Sequence, residues 1–404
     1  MKKAFMLLLA LTMLNSIVVS GQATNKNVAE IHKKALTVDT HCDTPMNLLD
    51  STFNVGIKNK PPQSRVDFPR MIEGGLDAMF FAAFTGQKPR TPENTQEAYK
   101  MANDMIDAIN GACTKYSGMA SVAVNSKDAA LYEQAGKLAI YIGMENGFPI
   151  GTDISRVSEF YNRGVRYITL CHSYNNDICD SSTDKKGAEH NGLSAFGKDV
   201  VKEMNRLGMM VDVSHISDKA FYDVIATSKA PVIASHSSVR AIAKHPRNMT
   251  DDMIKALAKN GGVIQICLLD DYIKDPDTTS VFYQKRKEFY SNYEARSASL
   301  TEEQKKELRK EWRQLSEKYP KPLPTVADCV DHIDHVKNLV GIDYVGIGSD
   351  FDGGGGVEGC ADVSQFPNIT AEMLKRGYTE DEIIKVWGGN FYRVFAEVEQ
   401  LAQQ

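Results

Sequence analysis

The chain has 404 residues, a net charge of −5 and a hydrophobic fraction of 42%. That length and composition describe a globular protein with a large core, either two or three domains or one α/β barrel with insertions. A mildly acidic balance without a long basic patch excludes a nucleic-acid-binding chain.

The N-terminus reads as an address rather than as structure. Met1-Lys2-Lys3 is a basic start, Ala4–Val19 is an apolar core broken by Thr12, Asn15 and Ser16, and Ser20-Gly21 offers a cut site. This pattern predicts a signal peptide over residues 1–21 and a bacterial chain that is exported, periplasmic or extracellular. An uncleaved anchor helix would need about 20 mostly apolar residues, more than this interrupted run supplies. No Cys sits at the cut and no second apolar span follows, so no stable membrane anchor is expected. Seven cysteines (42, 113, 171, 179, 267, 329 and 360) leave at least one thiol without an internal partner, and no CxxC spacing supports a thiolate zinc site.

From there one unit recurs: a short β-rich run, a polar exit, then an amphipathic helix. The runs are Thr37–Thr40, Asp77–Ala83, Leu138–Met144, Tyr167–Cys171, Met209–Val213, Val232–Ser235, Gly262–Cys267 and Tyr344–Gly348, eight in all. Helical patterns fall at Pro92–Lys115, Ile154–Arg163, Ala195–Leu207, Asp218–Thr227 and Thr250–Ala258. Buried strands alternating with helices predict a parallel sheet covered on both faces, and eight units predict a closed (β/α)8 TIM-type barrel of one domain over residues 25–400. A doubly wound open sheet would want a Gly-rich phosphate loop after the first strand, which is missing. The charged, aromatic stretch Ile273–Pro324 predicts inserted helices after strand seven, with Ser299 and Glu302 as a capping box and a partial wall or lid beside the site as its role.

The strand exits carry the chemistry. Strand one offers His41 and Asp43, which share a face because alternate residues of an extended chain do. Strand three offers Glu145, strand four His172, strand five His215, strand six His236 and strand eight Asp350. Each alone is as readily a core or capping residue, but a barrel opens all its strand C-termini on one face. Three His, one Asp and one Glu make a nitrogen/oxygen ligand set suited to zinc. Glu145 is the natural bridge between the His41/Asp43 pair and the His215/His236 pair, holding two Zn2+ about 3.5–4 Å apart over a shared water or hydroxide. Amide or ester hydrolysis is the chemistry implied. Asp350 can move the proton from the attacking water to the leaving amine; its plainer role is to cap the turn at Asp352–Gly354. Arg247 can clamp a substrate carboxylate; its plainer role is an ion pair with Asp251 or Asp252.

The stretches DTHCDTP, YIGMENG, YITLCHSYNN, DVSHIS, PVIASHSSVRA, HPRNMTDD, VGIGSDFDG and GGNFYRV stand in order across roughly residues 30–395. In them the chain resembles the membrane (renal) dipeptidases, zinc peptidase family M19 of the amidohydrolase-like barrels. The resemblance implies that His41 and Asp43 bind the first zinc, that Glu145 bridges, and that His215 and His236 bind the second. It implies that His172 binds substrate and stabilises the oxyanion, that Arg247 and Tyr272 contact the dipeptide, and that Asp350 shuttles the proton. It also implies dipeptide substrates, often with a C-terminal D-residue, and a homodimer. Two stretches depart from the pattern: the insertion at 273–324 and the loop Asn175–Asn191. Another metal-dependent amidohydrolase, an amidase or a β-lactam hydrolase, is the alternative on the same barrel. A deaminase would want a Glu beside the strand-five His, and a two-lobed binding protein would have no use for so many ligands at strand ends.

Overall fold

A computed structural model describes residues 27–59, 63–294 and 300–402; the expected signal peptide lies outside them. The strands are β1 (Val38–Cys42), β2 (Ala78–Phe84), β3 (Ala120–Val122), β4 (Leu138–Glu145), β5 (Val165–Thr169), β6 (Met210–Asp212), β7 (Ile233–Ser237), β8 (Val263–Ile266) and β9 (Val345–Ile347). Eight of them pair in the order β1-β2-β4-β5-β6-β7-β8-β9, every pair parallel. The ring closes just past the end of β9, where Asp350 N–H donates to the His41 carbonyl (3.1 Å) and Asp43 N–H to the Phe351 carbonyl (2.9 Å). This is the expected (β/α)8 barrel. The ninth strand, β3, lies off the ring against β4. It was not anticipated, because three residues are too few to show an alternation.

Strands and helices fill two apolar layers. Odd and even residues of each strand separate: Phe80 points into the barrel with Tyr141 and Tyr167, and Phe81 points out among the helices. The inner cluster gathers the first residues of the strands, such as Val38, Ala78, Met210, Ile233 and Val263, with Phe391, Val394, Phe395 and Val398 of helix Asn390–Ala402. Phe391 stacks edge-on to Phe80 (5.3 Å between centroids) and Phe395 to Tyr141 (5.7 Å). The C-terminal helix therefore plugs the N-terminal mouth of the barrel, leaving only the strand C-termini open.

The inserted stretch forms helices Val281–Glu294 and Glu302–Lys318, which face each other through Trp312 against Phe289 (5.2 Å) and Phe282 (6.2 Å). A capping box of Thr301 with Gln304 starts the second helix; the expected one rests on Ser299, which lies outside the described residues.

Gly143, in β4, sets the space above the plug. A Cβ there would meet the Tyr167 ring at 2.3 Å and its hydroxyl at 2.6 Å. Tyr167 is fully buried and spans the barrel to His41. Gly143→Ala is expected to destabilise the fold by about 1–3 kcal/mol through overpacking, read as a lower urea midpoint at unchanged slope.

Candidate metal centre

Register and turns bring the predicted residues together. Glu145 ends β4, opposite Phe84 of β2 and Thr169 of β5. His41 and His236 lie within β1 and β7 rather than beyond them, since ladder hydrogen bonds run through the backbone and tolerate a polar side chain. His215 and Asp350 follow β6 and β9 in left-handed backbone, at φ +72° and +58°. Such a conformation costs a non-glycine residue about 1–3 kcal/mol. It is held here by Ser182 N–H donating to the His215 carbonyl (2.8 Å) and by Gly355 N–H donating to the Asp350 carbonyl (2.7 Å). Asp43 leads into helix Thr44–Leu48, with Pro45 in its first turn.

Glu145 is the hub. Its Oε1 lies 3.0 Å from His215 Nε2, 3.5 Å from His236 Nε2 and 3.6 Å from His172 Nε2, and its Oε2 lies 3.5 Å from His41 Nε2. Asp43 Oδ2 is 3.7 Å from His41 Nε2, and Asp350 joins His41 and Asp43 in a third ligand group. Only His172 keeps appreciable contact with solvent, its side chain being 27% exposed against 0–8% for His41, Asp43, Glu145, His215 and His236. The sequence leaves His172 outside the ligand set, yet its ring stacks within 4.2 Å of His215, so it shares the centre.

A cation fits these residues. His41 Nε2 and Asp43 Oδ1 are buried with no hydrogen-bond partner. His215 Nε2 and His236 Nε2 face each other at 2.9 Å, a contact made by an Nε2–H of one ring or, with both rings protonated at Nδ1, by a cation between the two lone pairs. Buried polar atoms are normally satisfied, and a nitrogen/oxygen donor set without thiolate suits a borderline divalent ion such as zinc.

The electrostatics differ around the centre: against its burial, the neighbouring Tyr167, Glu145 and Asp43 raise His41 well above its usual value. Burial opposes the charge on Glu145, but His41, His172, His215 and His236 together hold it well below the usual carboxylate range. Burial, then the charges of Arg247 and His172, push His215 well below its usual value; burial, then His41, do the same to His236. These are imidazoles kept neutral, as ligands must be. Asp350 is driven the other way by burial and by the Asp43 carboxylate, so it tends to hold a proton.

Arg247 does not make the ion pairs that would have explained it away. Asp251 pairs with His335 (2.8 Å) and Asp252 with Lys255 (3.5 Å). Arg247 is 4% exposed and donates to the His236 carbonyl (3.0 Å). Its guanidinium lies over the Tyr272 ring at 5.3 Å, and its Nε has no partner. A cavity of about 340 Å3 joins Arg247 and Tyr272 to Glu145, His172, His215, Asp43 and Asp350. The loop after His172 contributes Ser173 and Thr183 to this wall, whereas the insertion contributes nothing among the described residues beyond neighbouring Leu269 and Tyr272. That corrects the expected lid: the two helices turn their aromatic faces on each other. Phe84, T-stacked on His172 at 4.7 Å, was missed because the β2 exit, Phe84-Thr85-Gly86-Gln87, bears no His, Asp or Glu to draw attention to it. All seven cysteines are buried and unbridged.

A family model described as membrane dipeptidase, peptidase family M19, matches residues 25–404. The chain belongs to the membrane dipeptidase family. It is 32% identical to Dipeptidase tcpJ of Claviceps purpurea over 98% of this chain and 85% of that protein. It is 34% identical to Dipeptidase verJ of Clonostachys rogersoniana over 84% and 78%. Among solved structures, the probable dipeptidase PvdM from Pseudomonas aeruginosa superposes with a TM-score of 0.84 at 30% identity, covering 94% of this chain and 99% of that one. This M19 chain is thus a metallopeptidase of the dipeptidase class. Glu145→Gln keeps the side-chain shape but removes the charge its imidazoles surround. The variant is expected to lose divalent-metal affinity by at least roughly tenfold, measured by competition with a chromophoric chelator.

Proposed function

We propose that the chain is an exported dizinc dipeptidase, with Glu145 bridging an ion held by His41 and Asp43 and another held by His215 and His236. The observation that carries the reading is Arg247: a buried guanidinium, free of any carboxylate among the described residues, facing the same small cavity as the Glu145 cluster. A cation fork at a set place beside a hydrolytic centre measures the substrate from its C-terminal carboxylate. The fork grips that group whichever hand the α-carbon has, so dipeptides ending in a D-residue belong to the substrate class. Export rests on the sequence of residues 1–21, and N-terminal sequencing of the processed protein checks it.

Bound at these ligands, two zinc ions would supply an acidified water at neutral pH and polarise the scissile carbonyl. The chain's own residues do the rest. Arg247 holds the substrate carboxylate, with the Tyr272 ring fixing the plane of the fork. Ser173 Oγ lies 3.0 Å from His172 Nδ1; with that hydroxyl donating, His172 Nε2 carries the proton and donates to the carbonyl oxygen as it gains charge. Asp350, with its carboxylate free, accepts the proton released by water and returns it to the leaving amine. Met46 and Phe84 separate this cavity from an apolar one of about 480 Å3 that also touches Ala98 and Met105, room for the N-terminal side chain.

Asp350→Asn is expected to retain both ions by mass spectrometry and to lose about 10²–10⁴-fold in kcat. Arg247→Ala is expected to lower the kcat/KM ratio of a dipeptide to its C-terminal amide by about 10–100-fold, the worth of a charged hydrogen bond. An unchanged ratio would remove Arg247 from the carboxylate-binding role.

A further inference from the structure

Two imidazoles of the centre, His41 and His236, stack at 3.8 Å between centroids and reach behind the centre to separate buried hydroxyls. His41 Nδ1 lies 2.8 Å from the Tyr167 hydroxyl, which in turn lies 3.2 Å from the Thr40 carbonyl. A carbonyl only accepts. If the phenol donates to Thr40, its lone pair takes the His41 Nδ1–H and both contacts are made; if it donates to His41, the Thr40 contact is lost. The first arrangement leaves the His41 Nε2 lone pair toward Glu145.

The second case uses different groups and reaches the same result. Ser235 Oγ lies 2.7 Å from Asp212 Oδ2 and 2.8 Å from His236 Nδ1. Asp212 also accepts from Ser235 N–H (2.9 Å), Ser214 N–H (3.0 Å) and the Thr169 hydroxyl. With donors converging on it, the carboxylate acts as an acceptor throughout. The Ser235 proton therefore goes to Asp212, and the Ser235 lone pair takes the His236 Nδ1–H. Tyr167, Asp212 and Ser235 are all fully buried, so water does not compete for these contacts. His215 has no such support: its Nδ1 is buried without a partner.

We infer that Tyr167 and the Asp212–Ser235 pair are positioning residues that hold His41 and His236 in the Nδ1-protonated tautomer, leaving each Nε2 lone pair free for a divalent cation. The inference rests on the Glu145 cluster being a metal centre. Outer partners of ligand histidines commonly fix tautomer and ring orientation in this way. Here one hydroxyl serves each proposed ion, and Gly143 is the residue that admits the Tyr167 hydroxyl.

The test uses the zinc-loaded full-length mature protein labelled with 15N-histidine. Proton–nitrogen correlation spectra should show His41 and His236 among the histidines protonated at Nδ1, the His41 signal altered by Tyr167→Phe and the His236 signal by Ser235→Ala. Competition with a chromophoric chelator should show each variant weakened by about 10–100-fold in one of the two zinc-binding steps. An Nε2-protonated pattern for either histidine in the parent protein overturns the assignment, and this measurement does not depend on the variants folding. Zinc affinities within twofold of the parent in both folded variants also overturn it. Tight zinc binding with the expected tautomers, but no hydrolysis of any dipeptide, would uphold the positioning role while overturning the peptidase reading.

Discussion

A single carboxylate among four imidazoles organises the open end of this barrel. Glu145 ends the third strand of the ring and meets His41, His172, His215 and His236, each within 3.6 Å. Removing an ion from water costs several kcal/mol after relaxation, and the neighbouring carboxylates of Asp43 and Asp350 add repulsion. The imidazoles, His41 first, offset it for Glu145, and a bound cation would offset it for all three carboxylates by turning the lone pairs and negative oxygens that crowd one another into ligands. The unpartnered His41 Nε2 and Asp43 Oδ1 and the close approach of His215 to His236 have the same cause.

The rest of the fold keeps that cluster in place and leaves it accessible from one side. Helix Asn390–Ala402 fills the far mouth with Phe391 and Phe395, so the strand starts are sealed by apolar packing. Above the plug lies a polar layer of Tyr167, Asp39, Asp212, Ser235 and Ser349. Asp39 accepts from the backbone N–H groups of Ser349 (2.8 Å) and His41 (3.2 Å), tying β1 to the turn that carries Asp350. Strain at His215 and Asp350 is stored where the ligating atoms must turn inward.

The metal-facing residues were legible in the sequence because each stands at or near the end of an apolar run, and a parallel barrel gathers such ends whatever the loops do. Arg247 was legible only as a choice between clamp and surface ion pair, and its burial and the pairing of Asp251 with His335 remove the second. What stayed hidden was long-range. Tyr167 reads as an ordinary strand residue until Gly143, 24 positions earlier, is seen to make room for it. The plug helix shows an apolar face without saying which mouth it enters. The insertion was expected as a partial wall or lid because it follows a strand exit, where barrel active sites are built, yet its Trp312 and Phe289 pack on each other.

The account's central claim is metal-dependent hydrolysis measured from a free C-terminus. The direct measurement is cleavage of L-Ala-L-Ala, L-Ala-D-Ala, Gly-D-Phe and a tripeptide before and after chelation, with bound metal counted in the same samples. The account predicts cleavage of dipeptides alone, lost on chelation and restored by zinc, with about two ions per chain. Dipeptide cleavage that persists in fully metal-free protein, or a tripeptide cut as fast as the dipeptides, would contradict it.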